Sequence, residues 1–237
     1  MTTQRLYILF ILFYLGLSDA LGQQSIYRYS IPEGQYRTKE DFIKKTPSEF
    51  LQLTIDKIRL VTDSDSLARR CFFIERDTNK RVKRIFAISH NGQLYFSNWA
   101  IQDNKAKSDK SVSPVESMNS FVRVLIGGDN FLYTEGAFIN IWQSALSGGI
   151  SNAMGVEFGI VGGIVGNEVG KAIDKSYPIT TFGGTGIVWD IKKEEFNIFR
   201  NCSDFNDFVE NYPVEKTDCG KQIFELKQIR EIMDIIK

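Results

Sequence analysis

The chain contains a single histidine and only three cysteines among 237 residues. One imidazole, His90, would have to serve any Ser–His–acid triad, Cys–His dyad or histidine metal site. It abuts Asn91-Gly92, where a solvated turn residue is expected, and there is no G-x-S-x-G elbow. The cysteines show no Cys-x-x-Cys spacing, which removes zinc ribbons and dithiol redox motifs. An excess of either charge is also missing. Lys+Arg and Asp+Glu number 29 each, for a formal net charge of +0. Nucleic-acid phosphates are held by clustered, unopposed Lys and Arg, so the balance argues against such a partner.

Two near-motifs fail on inspection. Gly170-Lys171 invites a phosphate loop, but the first glycine position is Val165 and the magnesium-binding hydroxyl position is Ala172. Asp63-Ser64-Asp65 hints at a calcium loop, yet its sixth position is Ala68 and its twelfth is Ile74. No cofactor and no metal are therefore expected.

What is present is a composition inside the globular range, 43% hydrophobic and 24% charged. Arg5 precedes an apolar run, Leu6–Leu17, which as a helix reaches about 18 Å, short of the ~30 Å hydrocarbon core. Ser18-Asp19 and then Ala20-Leu21-Gly22 follow, with small residues at −3 and −1. This is the pattern of a signal peptide over residues 1–22, cleaved after Gly22. The expectation is an exported protein (periplasmic, cell-envelope or secreted) whose mature domain spans residues 23–237. In an oxidising compartment Cys202 and Cys219 are the natural disulfide pair, since they bracket a short helical pattern. Closing that loop would contribute roughly 3 kcal/mol. The alternative is that all three cysteines stay free. Cys71 lies in the apolar run Cys71–Ile74 and reads as a small buried hydrophobe.

Along the mature chain, Thr38 with Asp41 forms a capping-box start for a short helix that must stop before Pro47. Leu51, Leu53 and Ile55 alternate with polar residues as in a half-buried strand. Strands follow at Cys71–Glu75, Val82–Ser89 and Gln93–Phe96, the last two joined by the hairpin signal Asn91-Gly92. Residues 102–118 read as a polar surface loop. Phe121–Ile126 with Asn130–Thr134, and Gly186–Ile191 with Glu195–Phe199, form two further hairpins. Helical spacing returns in Phe205, Phe208 and Val209 and in Ile229, Ile232 and Met233. Roughly eight hairpin-linked strands with helices at both ends predict an α+β class with an antiparallel sheet.

One segment is unusual. Residues 148–170 are glycine-rich, and on a helix Gly155, Gly159, Gly162, Gly163, Gly166 and Gly170 share a stripe about 100° wide. Each costs ~1 kcal/mol relative to alanine in a helix interior, so close packing must compensate. Three readings stand: a helix packed through its glycine stripe, a flexible loop, or a membrane-inserting or self-associating element. A simple bilayer span is disfavoured by Glu157 and Glu168 within the run.

The stretch Gly34-Gln35-Tyr36-Arg37-Thr38-Lys39-Glu40-Asp41-Phe42, closed by Thr46-Pro47, resembles the opening of a family of exported proteins of Bacteroidota-type bacteria, a domain of unknown function. The order of signal peptide, hairpins, glycine-rich insert, hairpin and helical tail is similar across most of the mature chain. The resemblance implies an envelope or secreted location and no catalysis, and it carries over no functional residues. The leading expectation is therefore a non-enzymatic envelope or secreted binding or structural protein, meeting an envelope protein or the membrane surface. The alternative is a small-ligand or glycan-binding module using exposed aromatics such as Tyr95, Trp99 or Trp189. A hydrolase built on carboxylates, Glu75 with Asp77 or Asp190 with Glu194, ranks third.

Overall fold

The computed structural model describes residues 30–62, 65–114, 117–140, 184–219 and 225–237. The leader at 1–22 and the glycine stripe at 155–170 lie outside them. Thr38 caps α1 (Lys39–Ile43) with a complete capping box, its hydroxyl accepting from Asp41 N–H while Asp41 accepts from Thr38 N–H. β1 (Gly34–Tyr36) precedes it. β2 (Leu53–Thr62) and β3 (Asp65–Glu75) form a long ribbon, and β4 (Lys80–Arg81) returns along β3. β5 (Ala87–His90) and β6 (Gln93–Ser97) flank Asn91-Gly92, whose φ values of 52° and 70° suit a tight hairpin turn. α2 (Asn98–Asp103) follows, then a single 3-10 turn at Lys107–Asp109 and β7 (Val112–Pro114). β8 (Phe121–Gly127), β9 (Phe131–Gly136) and β10 (Phe138–Asn140) come next, with β10 paired to β7. β11 (Thr185–Asp190), β12 (Glu195–Phe199), α3 (Cys202–Val209) and α4 (Leu226–Ile236) complete the order.

The class is α+β. A 10-stranded sheet runs β1-β5-β6-β8-β9-β11-β12, with the β2–β3–β4 ribbon joined through β3 to β8. The sheet is sharply curled. Four strand spacings separate β6 from β12, about 19 Å on a flat sheet. Phe96 and Phe196 nevertheless stack edge to face with centroids 5.0 Å apart. Phe42 from α1 plugs the trough, meeting Phe86, Phe96 and Trp189 at 5.3, 5.4 and 6.2 Å. The segment after α2 closes it, where Ala106 N–H donates to Phe196 O and Phe196 N–H to Asn104 O.

The outer face is covered in two halves. Phe73 of the ribbon packs on Tyr95 and Phe121 at 5.1 and 5.2 Å. Phe205 and Val209 of α3 and Ile229 and Met233 of α4 cover Phe131, Tyr133 and Val188 at the other end. β8 serves both halves, and a register shift between Val124 and Ile126 brings two consecutive residues to this face. Phe121 faces the ribbon, whereas Leu125 and Ile126 both join the helix-covered cluster. A buried ion pair pins α4 to this face. Arg230 donates from Nε to Glu135 Oε1 at 2.6 Å and from Nη2 to Oε2 at 3.2 Å, and Tyr133 Oη donates to Oε1 at 2.7 Å.

Several boundaries differ from the sequence reading. The strand expected over Val82–Ser89 is confined to Ala87–His90. Arg84 takes a φ of 53° and Val82 N–H donates to Phe73 O, so residues 82–86 cross between sheet sections with Val82, Ile85 and Phe86 buried. The expected loop 102–118 carries the end of α2, the 3-10 turn and β7, and it buries Ala106, Asp109 and Val112. Its polar composition hides these few inward positions. Leu51 lies outside β2 and is 37% exposed.

Candidate functional site

A cleft of about 670 Å³ lies beside β12 between α3, the β11–β12 turn and the 3-10 turn. Its floor is built around Arg200, the residue after β12. Asn201 caps α3 by accepting from Asp204 N–H at 2.9 Å, which sets Asp204 beside Arg200. The guanidinium donates to Asp204 twice, at 2.6 and 2.9 Å, and to Ser108 O at 3.1 Å. Its Nε also stands 3.5 Å from Asp109 Oδ1. Asp109 is only 2% exposed, and its Oδ2 accepts from Ile198 N–H at 2.9 Å. Burial pushes the Asp109 carboxyl above its ordinary value, outweighing the pull of Ile198 N–H and Arg200.

The β11–β12 turn forms one wall. Asp190 Oδ1 accepts from Lys192 N–H and Lys193 N–H, both at 2.9 Å, and Glu194 closes the turn with a φ of 54°. Lys192 and Lys193 are consequently exposed at the rim, Lys193 Nζ lying 3.9 Å from Asp190. Asp207 and Asn211 form the opposite rim and are also exposed. Between the rims, the amide Nδ2 of Asn197 is buried without an acceptor among the described residues. Tyr212 supplies a ring. Its phenol is raised first by burial and then by the Asp190 carboxylate, so it stays a protonated donor.

A staple holds the Asn211–Tyr212 wall. Cys202 and Cys219 form a disulfide, with Cα atoms 5.6 Å apart. Asn206 and Thr217 exchange two hydrogen bonds of 2.8 Å, and Lys216 pairs with Glu210 at 2.8 Å. Tyr212 then rests on Phe208 and Phe131, at 5.4 and 6.1 Å.

The other residues singled out from sequence do not converge here. Tyr95 and Trp189, expected as exposed aromatics, are 8% and 2% exposed and belong to the core, and Trp99 is half-buried. Tyr95 faces the ribbon and Trp189 the trough, each on the inward side of its strand, and Trp99 packs against the trough from α2. Cys71 is buried, which pushes its thiol up to about 12. His90 lies against Phe73 with Nδ1 3.4 Å from Glu33, and its Nε2 faces Asn91. Glu75 accepts from Thr78 Oγ1 at 2.8 Å rather than facing a second acid, and Glu194 turns to Lys39 at 3.8 Å. The stripe Gly155, Gly159, Gly162, Gly163, Gly166 and Gly170 lies outside the described residues.

The sequence reading missed Asp109, which sits in a stretch with no inward-facing pattern. The Arg200/Asp204 pair carried a readable signal, opposite charges four residues apart at a helix start. Among the described residues no helix is long and apolar enough to cross a membrane, and no three His, Cys, Asp or Glu side chains cluster to hold a metal. No family model, curated protein or solved structure matches the chain.

Proposed function

We propose that this chain is an exported, non-enzymatic binding protein, and that the cleft beside β12 is its binding surface. The observation that carries the reading is how the cleft's charges are used. Asp109, Asp204 and Arg200 satisfy one another at the floor, and Asp190 is occupied by its own turn, whereas Lys192, Asp207 and Asn211 stand open at the rim. Acids tied into structural bonds are poorly placed as general acids or nucleophiles, while an open rim of donors and acceptors suits recognition.

Export is supported by the apolar leader and by the Cys202–Cys219 disulfide, since such bonds persist in oxidising compartments. The resemblance of residues 34–42 to exported proteins points the same way. An envelope protein or the membrane surface remains the partner class favoured by the glycine-rich segment. The charge balance disfavours nucleic acid.

Two measurements test the proposal. Intact-mass spectrometry of protein from its native host should show a chain starting at Gln23; a chain retaining Met1 refutes export. A thermal-shift screen of the oxidised chain against envelope sugars, lipids and peptides should give a stabilising ligand whose effect is lost in K192A/D207A. Turnover of that ligand, or the absence of any shift across the panel, refutes non-enzymatic binding in this cleft.

A further inference from the structure

We infer that the cleft beside β12 takes an uncharged, hydroxyl-rich ligand, a short saccharide, held by the amides of Asn197 and Asn211 and the Asp207 carboxylate with a sugar face against Tyr212. This deepens the binding reading and rests on it. Charge is the first argument. The cleft brings Asp109, Asp190, Asp204 and Asp207 together with Lys192, Lys193 and Arg200. An anion placed there meets carboxylates and a cation meets ammonium groups, so neither sign is favoured as a whole. Hydroxyls donate and accept alike, and they match a lining that offers both within one span.

The second argument is the buried Asn197 amide. A donor with no acceptor is costly to keep, and a ligand hydroxyl or ring oxygen reached by a small side-chain adjustment would relieve that cost. The third is the ring. Tyr212 is half-buried, is fixed by Phe208 and Phe131, and keeps its hydroxyl protonated. A rigid aromatic surface beside amides and a carboxylate can accept the apolar C–H face of a sugar while its hydroxyls bond on either side. The volume, about 670 Å³, falls within the ~300–1,000 Å³ of small-molecule sites.

The test uses the full chain with its disulfide formed, titrated calorimetrically with neutral mono- and oligosaccharides. At least one should bind, with affinity changing less than about twofold between ~50 and ~500 mM NaCl, because no net charge is exchanged. The exposed-rim variant N211A/D207A should weaken binding by about tenfold or more while its unfolding midpoint stays put. Tyr212→Ala should also weaken binding, but its packing makes the rim variant the deciding one. If no neutral saccharide binds the folded chain, or if binding is untouched in N211A/D207A, the inference is wrong. A charged ligand bound with steep salt dependence and lost in N211A/D207A removes the saccharide class but keeps the binding reading. Cleavage of a bound saccharide removes the binding reading itself.

Discussion

Replacing Arg230 with alanine should destabilise the protein more than replacing Glu135, although Arg230 is the more exposed partner. The Glu135 side chain is 0% exposed and that of Arg230 is 16% exposed. In Glu135→Ala the guanidinium loses both bonds to the carboxylate but already touches water and can swing further out, and the Tyr133 hydroxyl loses its bond to Glu135. The expected cost is about 3 kcal/mol, the low end for breaking a buried pair. In Arg230→Ala the carboxylate cannot reach solvent, because β9 and β11 fix its backbone beside Gly186. The cost should approach ~5 kcal/mol. Replacing both with apolar residues, Glu135→Leu with Arg230→Met, removes the charges together and should cost much less than the sum of the two single changes. Urea unfolding followed by tryptophan fluorescence reads all three, Trp189 being buried in the core. At ~2–4 °C per kcal/mol for a chain of this size, the single variants should melt about 6–20 °C lower. A loss below ~1 kcal/mol in Arg230→Ala, or equal losses in the single and double variants, would refute the view that this pair is desolvated.

Three further outcomes are expected. Cys202→Ser should lower stability by roughly 3 kcal/mol relative to the oxidised protein, and a reductant should lower the wild type by a similar amount while leaving the variant unchanged in urea unfolding. Gly186→Ala should cost ~1–3 kcal/mol by overpacking, since a Cβ there would lie 2.9 Å from the Phe199 ring and 3.2 Å from the Tyr133 ring; unchanged thermal unfolding would contradict the packing. The Asp109 carboxyl is raised in the folded state, so between its ordinary value and the raised one the folded protein binds more protons than the unfolded chain. Stability contributed by this group therefore falls as pH rises through that window. Subtracting the stability–pH curve of Asp109→Asn from that of the wild type should expose this downward segment, and a flat or rising difference would overturn the assignment.

Period and punctuation carried much of the fold. Thr38 and Asp41 announce α1 because the capping box is local chemistry, and Asn91-Gly92 announces its hairpin because both positions need positive φ. The hairpin of β11 and β12 was legible from its two strand-like runs on either side of Lys192-Lys193, and the shared face of Phe205 and Val209 along α3 from their helical spacing. Features made by distant residues were not. Glu135 and Arg230 stand 95 positions apart, and nothing near either marks its partner. Ser97 donates to Ile85 O and accepts from Ala100 N–H to start α2, yet the preceding strand pattern ran straight into it. The candidate cleft was half visible. The Arg200/Asp204 pair and the Asp190 turn follow local rules, but Asp109 joins them only after the chain has folded across the sheet. Trp189 and Tyr95 read as exposed because what covers them, the curl with its Phe42 plug over Trp189 and the ribbon that lays Phe73 on Tyr95, is made by distant parts of the chain.

The register shift in β8 bears on how the protein is made. The first half of that strand pairs with chain already synthesised, at Arg70–Cys71 and Tyr95–Ser97, and the second half pairs with β9 immediately downstream. The helices that cover Leu125 and Ile126 follow much later in the chain. During synthesis the apolar flank of the central strand must therefore wait uncovered until α3 and α4 have emerged, which makes their docking the step that closes this half of the core.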